Sequence, residues 1–333
     1  MSVTDSLSAA QSITPFRIEP HFDVRPWGFR DLRPWFDRVA QDENSLLGEA
    51  WLTGDMCLVA TGAHKGKRLD VLFSEHAMAL LGKDAPEAAS PLLIKMLFAA
   101  GKLSVQVHPD DKMAQKYGAA RGKTECWLAL AAEPDAKLAV GIKPGVTLDE
   151  VRQQIQDGTL EKSLNAVSVE KNDMIFVDAG TVHAIWPGAI ILETQQNCDL
   201  TYRMFDYGRP RELHVEKSLE ATKLHTRAGK RPAQQLEDRT LLINEAYFRM
   251  ERIPVESAIT GAQLSCRKRG LSYLFAASGA ARMMGQGFET VDLPARAIVA
   301  VPASSPEYVV ENLGGLDLIR ITPHWPVPQG SEI

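Results

Sequence analysis

Two histidines, one glutamine and one glutamate lie in short β-like segments of this 333-residue chain. In the segment LSVQVHP, apolar residues alternate with polar ones, so a strand would turn Gln106 and His108 to the same face. Glu125 begins the segment ECWLALA, and His183 lies in VDAGTVHAIW. Two imidazoles, a carboxylate and an amide are a suitable ligand set for a borderline divalent ion such as zinc, with positions left for water or substrate.

An ordinary solvated strand face explains the same pattern. A single strand histidine is more often a hydrogen-bonded polar residue than a metal ligand. A metal site also requires three separate strands to converge, which the interior of a β-barrel would allow. Spacing alone therefore leaves both interpretations of the four residues open.

Charged side chains are concentrated in a second region, the segment LETQQNCDLTYRMFDYGRPRELH. Arginine is suited to bidentate recognition of oxyanions and phosphate, although a solvated surface with salt bridges would have the same composition. Lys123 precedes Glu125 by two residues, so in an extended segment both side chains share a face. The charged residues of the region are Glu193, Asp199, Arg203, Asp206, Arg209 and Arg211.

The elements that must position these side chains are mostly strands. Short β-rich runs bounded by Gly, Pro, Asp or Asn favour a sandwich or barrel over a parallel α/β sheet. Three segments predict helices instead: 68–82, 147–167 and 212–222. The first should stop at Gly82, and the second should start at Thr147 with Glu150 completing a capping box.

A polar stretch divides the chain into two β-rich parts. Residues 225–240 contain Gly and Pro with little periodicity, which predicts a linker or an exposed loop. We therefore expect a flexible N-terminus at residues 1–15, a catalytic β domain with helical insertions at 16–239, and a smaller β domain at 240–333. The last domain has His324 as its only histidine, so we expect no metal site there.

Composition sets limits on partners and compartment. A net charge of −5 provides no overall basic field for nucleic acid. No run approaches the roughly 20 apolar residues of a membrane span, and no signal peptide is evident at the N-terminus. The cysteines are scattered, which favours a cytoplasmic protein with thiols as small buried groups. They are Cys57, Cys126, Cys198 and Cys266.

Several of these segments resemble the type I mannose-6-phosphate isomerase (phosphomannose isomerase) family, particularly its short bacterial form. The segments occur in matching order between about Phe16 and Pro323, and they include PLLIKMLFAAGKLSVQVHPDD, GKTECW, AGTVHAI and LETQQNCDLTYRMFDYGR. The resemblance implies a mainly β, double jelly-roll (RmlC-like cupin) fold with helical insertions in the N-terminal part. It also implies one zinc ion per chain, with other divalent metals possible, and interconversion of mannose 6-phosphate and fructose 6-phosphate through an enediol.

The resemblance also assigns roles to residues. It implies that the metal ligands are Gln106, His108, Glu125 and His183. It makes Arg203 a catalytic arginine and places Glu193 and Lys123 at further active-site positions. Phosphate contacts are expected at Ser104 and Arg209, with Arg211 or Lys217 as the second choice for the phosphate anchor.

Two residues depart from the family pattern. Asp178 stands where the family usually has Pro, and Trp186 replaces a Gly that often follows the HAI motif. Both flank the expected metal-site loop. The shape of the pocket and the sugar preference are therefore open at this stage.

Three rival functions share the same residues. An iron-dependent oxygenase could use His108, Glu125 and His183, although Gln106 and the Arg203 segment favour the isomerase. The others are an isomerase of another sugar phosphate and a non-catalytic sugar-phosphate sensor, for which no DNA-binding helix-turn-helix segment is found. We expect a small-molecule sugar phosphate as the partner, no nucleic acid or membrane, and a monomer or weak homodimer.

Overall fold

The computed structural model describes residues 12–83, 85–264 and 270–325. Residues in strands far outnumber residues in helices within these ranges, so the predicted mainly β fold is confirmed. Among the described helices, none is long and apolar enough to cross a membrane.

The strands follow one another closely along the chain. In chain order they are β1 Phe16–Glu19, β2 His21–Phe29, β3 Leu47–Trp51, β4 Leu58–Val59, β5 Leu92–Phe98, β6 Val105–Val107, β7 Glu125–Ala132, β8 Lys137–Ile142, β9 Leu164–Ser168, β10 Met174–Val177, β11 His183–Ile185, β12 Ala189–Gln196, β13 Tyr202–Phe205, β14 Gly229–Arg231, β15 Gln234–Gln235, β16 Thr240–Asn244, β17 Phe248–Ile253, β18 Ala258–Thr260, β19 Ser272–Gly285, β20 Val291–Leu293, β21 Ile298–Val301 and β22 Tyr308–Pro323. The α-helices are α1 Leu69–Leu81, α2 Asp111–Lys116, α3 Leu148–Gln156, α4 Val215–Ala221 and α5 Gly261–Leu264.

The three predicted helices are confirmed as α1, α3 and α4. Gly82 caps the C-terminus of α1. At the start of α3, the Thr147 side chain accepts a hydrogen bond from the Glu150 amide while the Glu150 carboxylate accepts one from the Thr147 amide, which is the predicted capping box.

The second predicted helix ends earlier than expected. Gly158 adopts a φ of 69°, a left-handed conformation that glycine reaches without a Cβ penalty and that cannot continue a helix. A short 3₁₀ turn at Leu160–Ser163 follows, and the chain then enters β9. The short helices α2 and α5 are absent from the sequence-based prediction because six and four residues carry too little periodicity.

Two predictions about the second half of the chain were wrong. The stretch 225–240 is not only a loop, because it forms β14, which pairs with β10, and the two-residue strand β15. The second is the separation of two β-rich runs, YVVENL and LDLIRITP, whose intervening Gly314 and Gly315 predict a turn between two short strands. The structure joins both runs in the single strand β22 of 16 residues. In both regions, backbone hydrogen bonds to a neighbouring strand stabilise the extended conformation. These bonds do not depend on side-chain periodicity, so the sequence pattern does not reveal them.

Two compact units divide the described chain. The central unit comprises residues 22–51 and 92–232, and the flanking unit comprises 12–21, 52–91 and 233–325, named for their positions in the sequence. Residues 52–91, which the sequence analysis placed in the first domain, belong to the flanking unit. The predicted boundary between residues 239 and 240 stays a prediction.

Each unit has its own sheet arrangement. In the central unit, a seven-stranded sheet has the order β14-β10-β7-β12-β5-β3-β2 and a five-stranded sheet has the order β13-β6-β11-β8-β9. The flanking unit has a ten-stranded sheet with the path β15-β16-β17-β22-β19-β21-β1-β4, to which β18 and β20 add beside β22 and β19. Antiparallel pairing prevails, as between β12 and its neighbours β5 and β7.

An apolar core packs the two sheets of the central unit face to face. Its seven-stranded side contributes Trp127 and Ile175, and its five-stranded side contributes Leu138, Val140 and Ile185. All five side chains are nearly inaccessible to water. Because Trp127 and Ile175 are directly opposite on β7 and β10, this core also supports the strand on which Glu125 lies.

The buried thiols fit the expectation from the sequence. Cys57 and Cys126 are buried, and Cys198 is half-buried. Cys266 lies outside the described residues.

We expect Ile175→Ala to lower the free energy of unfolding by about 2–5 kcal/mol, because it removes a fully buried side chain from between two sheets and leaves a cavity. Urea denaturation measures the change. Leu213→Ala is the control, since Leu213 is 39% exposed and should change stability by about 0.5 kcal/mol or less. Equal effects of the two substitutions would contradict the packing described here.

Candidate metal centre

The polar face of β6 is turned toward the interior of the central unit. Gln106 lies directly opposite His183 of β11 on one side and Arg203 of β13 on the other. Directly opposite residues of antiparallel strands project from the same face. Three neighbouring strands of the five-stranded sheet therefore present an amide, an imidazole and a guanidinium in one row.

The opposite sheet supplies the carboxylate. The ligand atoms of His108, Glu125 and His183 all lie within 4.8 Å of one another, and the three side chains are buried. Oε1 of Glu125 is 3.3 Å from Nε2 of His183, and Oε2 is 3.7 Å from Nε2 of His108. The amide nitrogen of Gln106 lies 3.3 Å from Nε2 of His183. The structure thus brings together all four residues proposed as ligands.

Backbone carbonyls fix the orientation of both imidazoles. Nδ1 of His108 is 2.9 Å from the carbonyl of Leu200, and Nδ1 of His183 is 3.0 Å from the carbonyl of Thr181. Since Nδ1 donates to a carbonyl, the lone pair of Nε2 faces the cluster, as in histidines that bind metals. Burial lowers the pKa of His183 to about 4 and also lowers that of His108, so both rings are neutral and available as ligands.

The negative charge of Glu125 is only partly balanced by the groups around it. Oε1 of Glu125 is buried and accepts no hydrogen bond within the described part of the chain. The Lys123 ammonium contacts the other oxygen and lies 3.1 Å from Nε2 of His108. Burial, with the nearby charge of Glu193, raises the pKa of Glu125, although Lys123 opposes the rise. A buried carboxylate oxygen without a donor, beside two neutral imidazoles, fits a divalent cation.

One ligand must reorient to bind a metal. An amide coordinates a metal through its oxygen, whereas Oε1 of Gln106 here lies 3.2 Å from the hydroxyl of Ser104 and its nitrogen faces His183. Turning the amide over would bring its oxygen to the histidine side. The donor set, with two nitrogens and two oxygens, then matches zinc chemistry.

A second charged row, which the sequence analysis missed, crosses the seven-stranded sheet. Lys95 lies opposite Glu193 on β12 and opposite Trp51 on β3. Its ammonium is 3.2 Å from Oε1 of Glu193 and 3.6 Å from Oε2 of Glu49. The signal in the sequence is one lysine within LLIKMLF, a strand whose seven residues are all buried. A buried lysine requires a carboxylate partner, so this lysine indicated a hidden acidic site.

Opposite charges keep this row ionised despite burial. Burial favours neutral forms, but Lys95 and Arg25 lower the pKa of Glu49 to about 2. Lys123 and Lys95 likewise lower the pKa of Glu193, and Glu193 and Glu49 raise that of Lys95. Glu193 is therefore a carboxylate at neutral pH.

Both polar rows open onto one cavity of about 550 Å³ in the central unit. A volume of this size accommodates a small polar ligand. Residues on its wall include Arg25, Glu49, Lys95, Ser104, Gln106, Lys123, Glu193, Asp199, Arg203 and Arg211. Gln106 and the candidate catalytic groups Lys123, Glu193 and Arg203 therefore line a common space.

The arginines proposed from the sequence differ in their surroundings. Arg203 donates from Nη1 to the Glu212 carbonyl at 2.9 Å, and its buried Nε has no hydrogen-bond partner within the described ranges. Arg209 and Arg211 both donate to buried Asp206, and hydrogen bonds from the two lower the pKa of that carboxyl although burial acts to raise it.

The three candidate phosphate anchors differ in whether they line the cavity. Arg211 lines the cavity, whereas Arg209 is not among its lining residues and donates instead to the carbonyl of Lys102 at 2.8 Å. Lys217 is also absent from the wall, and its ammonium lies 4.8 Å from the ring centroid of Tyr117.

Neither departure from the family pattern contacts the cavity. Asp178 accepts hydrogen bonds from the Thr181 hydroxyl at 3.0 Å and from the Arg227 amide at 3.1 Å, so it braces the loop before His183. Trp186 packs against an apolar cluster on the other face of β11, with the Lys102 ammonium 5.4 Å from its ring. These substitutions leave the cavity wall unchanged.

A His–Glu–His cluster buried between two antiparallel sheets, with half-buried Gln106 beside it, defines a cupin-type protein with a site suited to a metal ion. The family model described as "Phosphomannose isomerase type I, catalytic domain" matches residues 16–156. The chain is 34% identical over 259 residues to a mannose-6-phosphate isomerase of Streptococcus mutans, covering 74% of this chain and 80% of that protein. The chain therefore belongs to the mannose-6-phosphate isomerase family.

Solved structures agree with this assignment. The mannose 6-phosphate isomerase of Bacillus subtilis superimposes with a TM-score of 0.81 at 27% identity, covering 93% of this chain and 100% of that one. A zinc-bound mannose 6-phosphate isomerase superimposes with a TM-score of 0.74 at 13% identity, covering 94% and 100%, which shows a shared fold.

We expect His108→Ala to lose bound zinc, because it removes one buried ligand from the candidate set of four. Metal content per chain after dialysis, measured by mass spectrometry, reports the loss. His225→Ala is the control, since His225 is exposed and lies outside the cluster. Equal zinc retention by both variants would refute the assigned centre.

Proposed function

We propose that this chain interconverts mannose 6-phosphate and fructose 6-phosphate. The observation that carries the proposal is a buried metal-ligand set beside a cavity that also presents Glu193, Lys123 and Arg203. Membership of the family supports it, since the similar proteins are named for this activity. Gln106, His108, Glu125 and His183 would hold a zinc ion. When bound, the metal supplies a Lewis acid that polarises sugar oxygens.

The reaction needs a base at C2 of the open-chain aldose. Removing the C2 proton shifts its electron pair to form a C1–C2 double bond, and negative charge develops on O1. Glu193 is our candidate base, because it lines the cavity and its lowered pKa keeps it deprotonated. Returning the proton to C1, with O1 protonated and the O2 proton released, gives the ketose without net loss of atoms.

Cationic side chains suit the oxygen chemistry of this enediol step. The Lys123 ammonium lies among the ligands and 3.6 Å from Oε1 of Glu193, where it can pass a proton to or from a sugar oxygen. The buried Nε of Arg203 is uncommitted among the described residues and can stabilise the developing oxyanion. Lys95 holds Glu193 in place from the other side, at 3.2 Å.

The phosphate needs a cation away from the reacting carbons. Arg209 was the first choice from the sequence, with Ser104 as a hydroxyl contact. Ser104 lines the cavity, and so does Arg211. We therefore assign the phosphate contact to Ser104 and Arg211, with Arg209 acting through Asp206, which both arginines share.

Three expectations stay predictions: a cytoplasmic location, the absence of nucleic-acid partners, and a monomer or weak homodimer.

We expect the zinc-loaded protein to form fructose 6-phosphate from mannose 6-phosphate, to lose activity with a chelator and to regain it when zinc is restored. A coupled assay of fructose 6-phosphate measures each state. A zinc-loaded protein inactive on mannose 6-phosphate but active on another sugar phosphate would redirect the substrate assignment. Iron dependence with oxygen uptake would replace the isomerase with an oxygenase.

We expect Glu193→Gln to lower kcat by about 10²- to 10⁴-fold with zinc content unchanged, because an amide cannot accept the C2 proton. Exchange of the C2 proton with deuterated solvent should fall by the same factor. Glu133→Gln is the control, since Glu133 lies in the same unit and is absent from the cavity wall. Normal exchange in the Glu193 variant would assign the base elsewhere.

We expect Arg211→Gln to raise KM for mannose 6-phosphate by about tenfold or more, because it removes a charge-assisted contact to phosphate. Steady-state kinetics should show a smaller rise for Arg209→Gln, which removes hydrogen bonds to Asp206 and to the Lys102 carbonyl but no residue of the cavity wall. The reverse order would return the anchor to Arg209.

A further inference from the structure

A charged side chain interrupts the apolar core of the flanking unit. Arg320 of β22 lies opposite Leu274 of β19 and Glu251 of β17, so all three share one face of the ten-stranded sheet. Leu274 and Leu318 on that face belong to the core, and Arg320 is only 6% exposed. Burying an arginine is costly unless its donors are satisfied, so the contacts of Arg320 determine its role.

The contacts of Arg320 use one of its three nitrogens. Nη1 donates to the Leu264 carbonyl and lies 3.5 Å from Oε2 of Glu251. In the part of the chain that the structure describes, Nε and Nη2 donate no hydrogen bond. Glu251 lies closer to Arg249, at 2.7 Å, than to Arg320. A guanidinium has five N–H donors, so three of them remain uncommitted.

Arg320 lines a cavity of about 200 Å³. The volume far exceeds the roughly 15 Å³ that a single water needs, so it has room for a small ligand. Most of the wall is formed by Gly, Ala, Val and Pro residues. The polar side chains on the wall belong to Arg320, Ser272, Ser305, Tyr308 and Glu307.

Two hydroxyls on the wall are also uncommitted. Among the described residues, no hydrogen bond engages the hydroxyls of Ser272 and Tyr308, whereas Ser305 donates to the Pro306 carbonyl. Burial raises the pKa of Tyr308 to about 12, so its phenol remains a neutral donor. Glu307 is the acidic residue on the wall, and it is exposed. A guanidinium and two hydroxyl donors therefore surround one space.

We propose that this cavity of the flanking unit binds a small oxyanion, a phosphate or a carboxylate, through Arg320, Ser272 and Tyr308. A guanidinium matches the paired oxygens of both groups, and hydroxyls can donate to the remaining ones. The proposed metal ligands and catalytic residues all belong to the central unit. The oxyanion site thus shares no residue with the proposed active site, and a ligand bound there would stabilise the folded chain by mass action.

An NMR titration of the ¹⁵N-labelled, zinc-loaded protein tests the site. Inorganic phosphate is the first probe and acetate the second. We expect saturable shifts of the Gly261 and Ser272 amides, which line the cavity. A response to phosphate alone or to acetate alone identifies the class of oxyanion, and a response to both assigns a general oxyanion site. No saturable response to either at millimolar concentration overturns the proposal.

Variants separate this site from other anion-binding groups. We expect Arg320→Gln to weaken the response at these amides by about tenfold or more. Arg282→Gln should leave it unchanged, since Arg282 pairs with Asp292 and is absent from the wall. If the Arg320 variant does not fold, Ser272→Ala and Tyr308→Phe remove single hydroxyls, and each should weaken binding measurably. Unchanged affinity in all the folded cavity variants would refute the site.

Discussion

The Lys123 ammonium lies between two buried carboxylates, and the balance of charge among these three groups constrains the rest of the central unit. Glu125 and Glu193 lie on neighbouring strands of one sheet. Because both are buried, water cannot solvate the charge of either carboxylate. The lysine contacts both, and each acid retains a buried oxygen without a hydrogen-bond donor among the described residues. The two acids differ in their other neighbours: the ammonium groups of Lys123 and Lys95 lower the pKa of Glu193, whereas Glu125, whose pKa burial raises, lies beside the two imidazoles of the candidate metal site. This difference between two nearby acids separates a base from a ligand.

The antiparallel sheets provide the packing that supports this buried cluster of charges. Strand alternation places Trp127 and Glu125 on the same face two residues apart, so one end of the face packs a core and the other belongs to the ligand cluster. Trp127 also donates to Glu193 at 3.1 Å, which ties the core directly to the candidate base. Tight packing around these strands limits the positions that the polar groups can adopt, as a precise site requires.

The sequence by itself determined the main local features. Alternation in LSVQVHP and the capping box at Thr147 depend on neighbouring residues, so they could be predicted without a fold. The motifs containing His108 and His183 indicated the family and the ligand set. Periodicity could not show whether the polar face of β6 contacts solvent or the protein interior, because that depends on the opposite sheet.

Tertiary structure decided which charges meet. Lys95 reads as part of an apolar strand until the pairing of β5 with β12 places it against Glu193. The sequence favoured Arg209 over Arg211 as the phosphate anchor, whereas the fold places Arg211 and not Arg209 on the cavity wall. Likewise, Arg320 becomes a buried donor only when β22 pairs with β19. Contacts between residues distant in sequence are set by strand register, and local composition carries no information about register of this kind.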